Sequence, residues 1–476
     1  MRAAWIGVAL ASAVLVAACS GPISGRPVSI YDDPFTVAGL PATDGPSGPR
    51  PDAPPPTLAA VDGDGGEVDR LAIAAVDGIQ AYWSEEYPRH FKGQFRPVDR
   101  IVSWDSDAYG TDTTPFCESD TSGLANAGYC PLDNTIGWDR TNLLPAMIES
   151  FGPMSVVMVL AHEYGHAVQR QSGIVAEDDP GIVLEQQADC FAGAFVRHVA
   201  EGDNSHFTLN TSDGLNSVLA ATVSIRDSDP NDPDSIHGSA FERVTAVQIG
   251  FTDGPGACAK IDAAEIESRR ADLPKQFTSP GETGELPVTA ATLAEFMTAL
   301  QSIFALRDQP AVNYAGAAPL CADASPTEPV SYCPSTNTIG VDVPALAARG
   351  TPQEAANTGL PMTVTGDYNA YVVFGSRFSL AVQREAGQPL TEPKTALRAA
   401  CLSGVITAGL ATDRGPDSGD FTLSPGDLDE AVSGLLADGL AASDAHGRTV
   451  PSGFSRIDAF RFGVLGGRAA CDARYT

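Results

Sequence analysis

The sequence predicts an α+β protein, dominated by helices around a small sheet and duplicated along the chain. Several long segments place apolar residues at helical spacing, and a few short segments have strand character. A set of cysteines and short words then recurs in the same order in the second half. With 476 residues, 43% of them apolar, the chain can bury the cores of two or three domains. Its 60 acidic and 29 basic residues leave a net charge of -31, a surface that repels nucleic acid and excludes it as a partner.

At the N-terminus Arg2 supplies a positive end, residues 3–18 are apolar, and Val16-Ala17-Ala18-Cys19 places small residues before a cysteine. An apolar run of about sixteen residues is short for a bilayer-spanning helix. Residues 1–19 resemble a bacterial lipoprotein signal. That resemblance implies cleavage before Cys19, a lipid on its thiol, and anchoring to the membrane on the extracytoplasmic side; an ordinary signal peptide with an incidental cysteine is the alternative. Cysteines other than Cys19 are even in number, as structural disulfides in an oxidising compartment require. Residues 20–66, rich in Pro, Gly and Asp, bury too little apolar area to fold and read as an extended tether.

A first domain follows over residues 67–285. Leu71, Ala75, Val76 and Ile79 mark a helix from Val68 onward, and residues 95–104 read as a strand. A loop carrying Cys117 and Cys130 leads to a second strand candidate at residues 135–138. Residues 155–171 have helical periodicity, with Pro153 and Gly173 as start and stop signals, and further helices are expected at 182–200, 213–225 and 239–251.

Residues 286–476 repeat this pattern. Gly128-Tyr129-Cys130-Pro131 with Asn134-Thr135-Ile136-Gly137 returns as Ser331-Tyr332-Cys333-Pro334 with Asn337-Thr338-Ile339-Gly340. Cys117, Cys130, Cys190 and Cys258 match Cys321, Cys333, Cys401 and Cys471, and Ala167-Val168-Gln169-Arg170 matches Ala381-Val382-Gln383-Arg384. If each copy folds by itself, the pairs expected are Cys117 with Cys130, Cys190 with Cys258, Cys321 with Cys333, and Cys401 with Cys471.

The first copy alone carries His162-Glu163-Tyr164-Gly165-His166, followed by Glu185 and Asp189. Histidines four apart on a helix project from one face at the separation a single metal ion needs. Two imidazoles and a carboxylate suit zinc and leave a fourth position for water, so His162, His166 and Glu185 are the expected ligands of one zinc ion. Glu163 is the candidate general base, and Asp189, on the same helical face as Glu185, is expected to accept the outer N–H of a ligand histidine. In the second copy these positions hold Ser376, Arg377, Leu380, Ala396 and Ala400. The scaffold words survive there while the metal-binding ones do not, so packing did not require them.

The His162–His166 motif resembles, together with Glu185-Gln186-Gln187-Ala188-Asp189-Cys190-Phe191-Ala192-Gly193, Tyr129-Cys130-Pro131 and Ile236-His237-Gly238-Ser239 to Arg243, the neutral zinc metallopeptidases of bacteria. These are thermolysin-like enzymes with a glutamate third ligand. The resemblance covers roughly residues 68–260 and implies a zincin-like fold, with the strand at 135–138 as an edge that aligns an extended peptide substrate beside the metal. It also implies that His237 stabilises the oxyanion and that Arg243 helps place it. Opposite them stand Val450 and Arg456, so His237 varies with the chemistry and Arg243 with the scaffold.

The function expected is therefore a lipid-anchored zinc endopeptidase with a degenerate second copy. A non-enzymatic zinc-containing peptide-binding lipoprotein and a hydrolase of a non-peptide amide, such as a cell-wall crosslink, are the competing readings. His90, His198, His206 and His446 lack partners at metal spacing and read as structural or solvated, and the acidic run 227–234 reads as an exposed loop.

Overall fold

The computed structural model describes residues 33–475 except 177, 228–235, 271–272, 275–283, 318–320, 352–363 and 413–420. The signal segment and Cys19 lie outside the described residues. Helix α1 (Glu67–His90) leads into a three-stranded sheet of β1 (Arg100–Trp104), β2 (Ala127–Cys130) and β3 (Thr135–Asp139). Strand β3 is central, parallel to β1 and antiparallel to β2. Six helices follow, α2 (Leu143–Phe151), α3 (Met154–Ser172), α4 (Gly181–Ala200), α5 (Asp213–Ser224), α6 (Ala240–Asp253) and the short α7 (Pro255–Cys258), then α8 (Ala263–Arg270).

The second half runs through the same sequence of elements. After α9 (Ala290–Phe304) come β4 (Ala311–Asn313), β5 (Val330–Cys333) and β6 (Thr338–Asp342), with β6 central, parallel to β4 and antiparallel to β5. Then come α10 (Val343–Arg349), α11 (Tyr368–Glu385), α12 (Pro393–Ala411), α13 (Asp427–Ala437) and α14 (Gly453–Arg474). Disulfides join Cys117–Cys130, Cys190–Cys258, Cys321–Cys333 and Cys401–Cys471, the pairing expected from the repeat.

Each half is fastened by one tight helix crossing. A Cβ on Gly250 would lie 1.7 Å from the Cys190 carbonyl oxygen, and one on Gly193 would lie 2.2 Å from that of Val247, so α4 and α6 touch backbone to backbone. In the second half Gly463 meets Cys401 and Gly404 meets Phe460 in the same way, between α12 and α14. The larger of two hydrophobic clusters among the described residues runs through both halves. At their junction Phe251 packs on Phe454 with ring centroids 5.0 Å apart, and Gln248 donates to the Phe454 carbonyl at 2.9 Å.

Two expectations change. The strand Thr135–Asp139 is hydrogen-bonded on both sides, so the edge beside α3 is β2; all five residues of β3 are buried, as a central strand requires. Residues 33–66 are not a free tether. Gly48–Pro49 pairs with Phe207–Thr208, and Arg50 Nε donates to the carbonyls of Asn204 and Phe207. Val37 is fully buried, and the carbonyls of Ala38 and Thr36 accept from Arg197 in the first half and Ser455 in the second. Such a segment cannot build a core of its own, but a few anchors seat it on a core already formed.

Candidate metal centre

Helix α3 is buried along most of its length because it lies between the sheet and α4, with α5 on a third side. Gly165 lets α3 and α4 approach: a Cβ there would lie 2.9 Å from the Ala188 Cα. The second half has Ser379 in the corresponding place. At this crossing His162 and His166 from α3 meet Glu185 from α4, with one donor atom from each within 4.8 Å of the others. His162 Nε2 stands 3.1 Å from Glu185 Oε2, and His166 Nε2 stands 3.5 Å from Glu185 Oε1.

The outer ring nitrogens decide how these groups face one another. His162 Nδ1 lies 2.8 Å from Asp189 Oδ1, and His166 Nδ1 lies 2.9 Å from Gln169 Oε1. Gln169 spends its amide hydrogens on the Leu184 carbonyl and on Gln187, which fixes its oxygen toward His166. Both Nδ1 atoms therefore donate, and both Nε2 lone pairs face the carboxylate. Glu185 Oε2 is buried without any hydrogen bond. Two lone pairs and a carboxylate converging in a buried space need a cation, and the donor set fits zinc.

The charges point the same way. Burial opposes a charge on His162, yet Asp189 and Glu185 outweigh it and raise the imidazole to about 10, so Nε2 favours a cation there, a proton or a metal ion in its place. Burial likewise pushes Glu185 up, but His162, His166 and His237 hold it well below the usual carboxylate range. Asp189, fully buried, is kept ionised by Arg243, whose Nε and Nη2 each donate to it at 2.8 Å. Arg243 Nη1 also donates to the Ile225 carbonyl at 2.6 Å.

Glu163 stays outside the ligand cluster. Its Oε2 accepts the Tyr129 N–H of β2 at 2.9 Å, which ties it to the edge strand. Burial raises its carboxyl above the usual range, against the pull of the two histidines. His237, its side chain 43% exposed, brings Nε2 to 3.9 Å from Glu185 Oε2. Asp227 Oδ1 lies 2.9 Å from His237 Nδ1, and Asp227 Oδ2 accepts the Gly238 N–H.

Sequence reasoning placed Asp227 in an exposed acidic loop, whereas its carboxylate is mostly buried against His237; residues 228–234 of that run lie outside the described residues. It also passed over Gln169 and Gly165. The repeat hid Gln169 rather than marking it: Gln383 recurs opposite it and accepts from Arg398, the residue opposite Gln187, so by that comparison it reads as scaffold. None of the other described histidines joins a metal cluster: His206 is buried against Asp77, His90 pairs with Glu86, His198 packs on Tyr82, and His446 accepts from Ser325.

Residues 108–261 match the family described as "Putative neutral zinc metallopeptidase". That span contains every residue of the cluster. Uncharacterized protein Mb2605 of Mycobacterium bovis and uncharacterized protein Rv2575 of Mycobacterium tuberculosis are each 27% identical over 220 residues, which covers 41% of this chain and 71% of theirs. No solved structure matches.

The corresponding place in the second half is filled differently. Arg377, opposite Glu163, is fully buried and donates to the Ser376 and Ser443 hydroxyls and to the Leu440 carbonyl. Burial lowers its guanidinium to about 10, and the surrounding oxygens satisfy it without a metal.

Proposed function

We propose that the chain is a zinc-dependent peptidase held at the extracytoplasmic face of the membrane by lipid on Cys19, with its site in the first half and a catalytically empty repeat in the second. His162, His166 and Glu185 hold one zinc ion, which when bound supplies Lewis acidity to water and to a peptide carbonyl. Glu163 takes the proton of the attacking water and returns it to the leaving amine; burial raises its carboxyl above the usual range, which makes it the stronger proton acceptor. His237, whose Nδ1–H is held by Asp227, turns Nε2 to the site and, with a proton on that nitrogen as well, donates to the developing oxyanion. Asp189 and Gln169 fix the two imidazoles in the tautomer that leaves Nε2 free.

Strand β2 supplies the substrate platform. The Tyr129 N–H points away from β3 toward Glu163, so the free edge of the sheet runs past the general base, and an extended peptide laid along it brings its backbone to the site.

The observation that carries this reading is a largely buried set of three donors with a carboxylate beside it that is not one of them. Zinc content and peptide cleavage are measured together for the full chain and for Glu163→Gln. Equal zinc with cleavage lowered by at least about 100-fold is expected. Cleavage equal to that of the unaltered protein removes Glu163 from the mechanism.

A further inference from the structure

The two halves meet through reciprocal contacts. Gly453 N–H, at the start of α14, donates to Asn216 Oδ1 on α5 at 2.7 Å. Phe241 N–H, at the start of α6, donates to Asp429 Oδ1 on α13 at 3.2 Å. One and the same shift along the chain carries Asn216 onto Asp429 and Ala240 onto Gly453, so each half caps the other's last long helix, as in a two-fold interface.

The two contacts differ in one respect. Asp429 is an acid where its counterpart is an amide, and its Oδ2 lies 3.2 Å from Arg226 Nε. The shift that relates the contacts puts Gly439 opposite Arg226 and Val450 opposite His237. Acid, arginine and histidine thus occur together on the side of the metal-binding cluster and are all absent from the other. An amide would cap α6 without the desolvation that a buried carboxylate suffers, and a buried ion pair is a weak stabiliser whose best use is to fix geometry.

That geometry leads directly to the site. Arg226 adjoins Asp227, whose carboxylate holds the His237 Nδ1 and the Gly238 N–H, while the Asp227 N–H donates to the Gly238 carbonyl at 3.2 Å. Ser239, next in line, caps α6 through a reciprocal bond with Glu242, and the N–H groups that follow rest on Asp429. Residues 225–227 and 236–241 are clasped at Asp227 and fastened from the second half at Asp429.

We propose that Asp429 is a positioning residue of the peptidase site: through Arg226 it holds Asp227, and with it the His237 imidazole, in place beside Glu185. This rests on the function proposed above. The half without metal-binding side chains thereby completes the working geometry of the half that has them.

The test uses the full-length, zinc-loaded protein. Asp429→Asn keeps an oxygen for the Phe241 N–H and removes the charge that Arg226 pairs with. Its kcat is expected to fall roughly ten-fold with KM and zinc content unchanged. In the same variant the nitrogen NMR signals of the His237 ring, with histidine selectively labelled, lose the signature of the Nδ1–H hydrogen bond to Asp227. Asn216→Ala disturbs the mirror contact and is expected to leave both kcat and the His237 signals as they are. Added to His237→Ala, Asp429→Asn is expected to cause no further loss.

Unchanged kcat and unchanged ring signals in Asp429→Asn overturn the proposal, as does an equal loss of kcat in Asn216→Ala. If Asp429→Asn does not fold, Arg226→Gln, near the surface, carries the same readouts. If the zinc-loaded protein itself cleaves no peptide, the peptidase reading fails and the ring signals alone decide whether Asp429 positions His237.

Discussion

Asp189 is the residue on which the metal-binding cluster and the scaffold converge. It accepts from His162 on one side and from Arg243 on the other, and all three side chains are almost fully buried. Arg456, opposite Arg243, keeps its place without any such acid by donating to the carbonyls of Val450, Leu435 and Pro451. The arginine therefore belongs to the scaffold, whereas the aspartate occurs only in the half that carries the three candidate ligands. Asp189→Asn strands the buried guanidinium and loosens His162: zinc affinity, by competition with a chelator, is expected to drop about 10–100-fold. The folded state, by denaturant titration, is expected to lose about 3–5 kcal/mol. The motif residues were legible in the sequence because helical spacing alone puts two imidazoles on one face. Asp227 was not, because its partner lies beyond a loop and only the fold brings them together.

At the scale of elements, the glycine crossings carry the clearest prediction. Gly250→Ala drives a methyl group into the Cys190 carbonyl and is expected to destabilise the first half by about 1–3 kcal/mol in denaturant melts. Gly463→Ala should do the same to the second half through Cys401. From sequence, a glycine inside a helix reads as a penalty, and its value appears only when the neighbouring helix is in view. The principal helices were legible for the opposite reason, since an amphipathic period is written locally. Helix α2 was missed because Pro145 reads as a break, yet it stands in the first turn, where the absent N–H has no partner to lose. Strand β2, four residues with a glycine, becomes a strand only through its pairing with β3.

At the scale of the whole molecule, the second half brings its own pH dependence. Burial, reinforced by neighbouring carboxylates, lifts Asp367 to about 7, Asp427 to about 8 and Glu430 to about 9 around the start of α11. Carboxyls raised on folding favour the protonated native state, so their stabilisation is complete below the unfolded values near 4 and is lost as pH climbs through the folded ones. Denaturation midpoints are expected to fall steadily between pH 5 and pH 9, and Asp367→Asn with Glu430→Gln to flatten that slope; a flat profile in the unaltered protein would contradict this. A chain truncated after Glu285 is expected to aggregate or bind a dye for apolar surface, because Phe241, Phe251 and the start of α6 lose the second half that covers them. Soluble, cooperative unfolding of that fragment would refute the expectation. The reciprocal capping has a further consequence. Two identical subunits joined this way could dissociate on dilution and would have to carry the same residue at both caps, whereas one polypeptide cannot lose its neighbour and is free to write Asp on one side and Asn on the other.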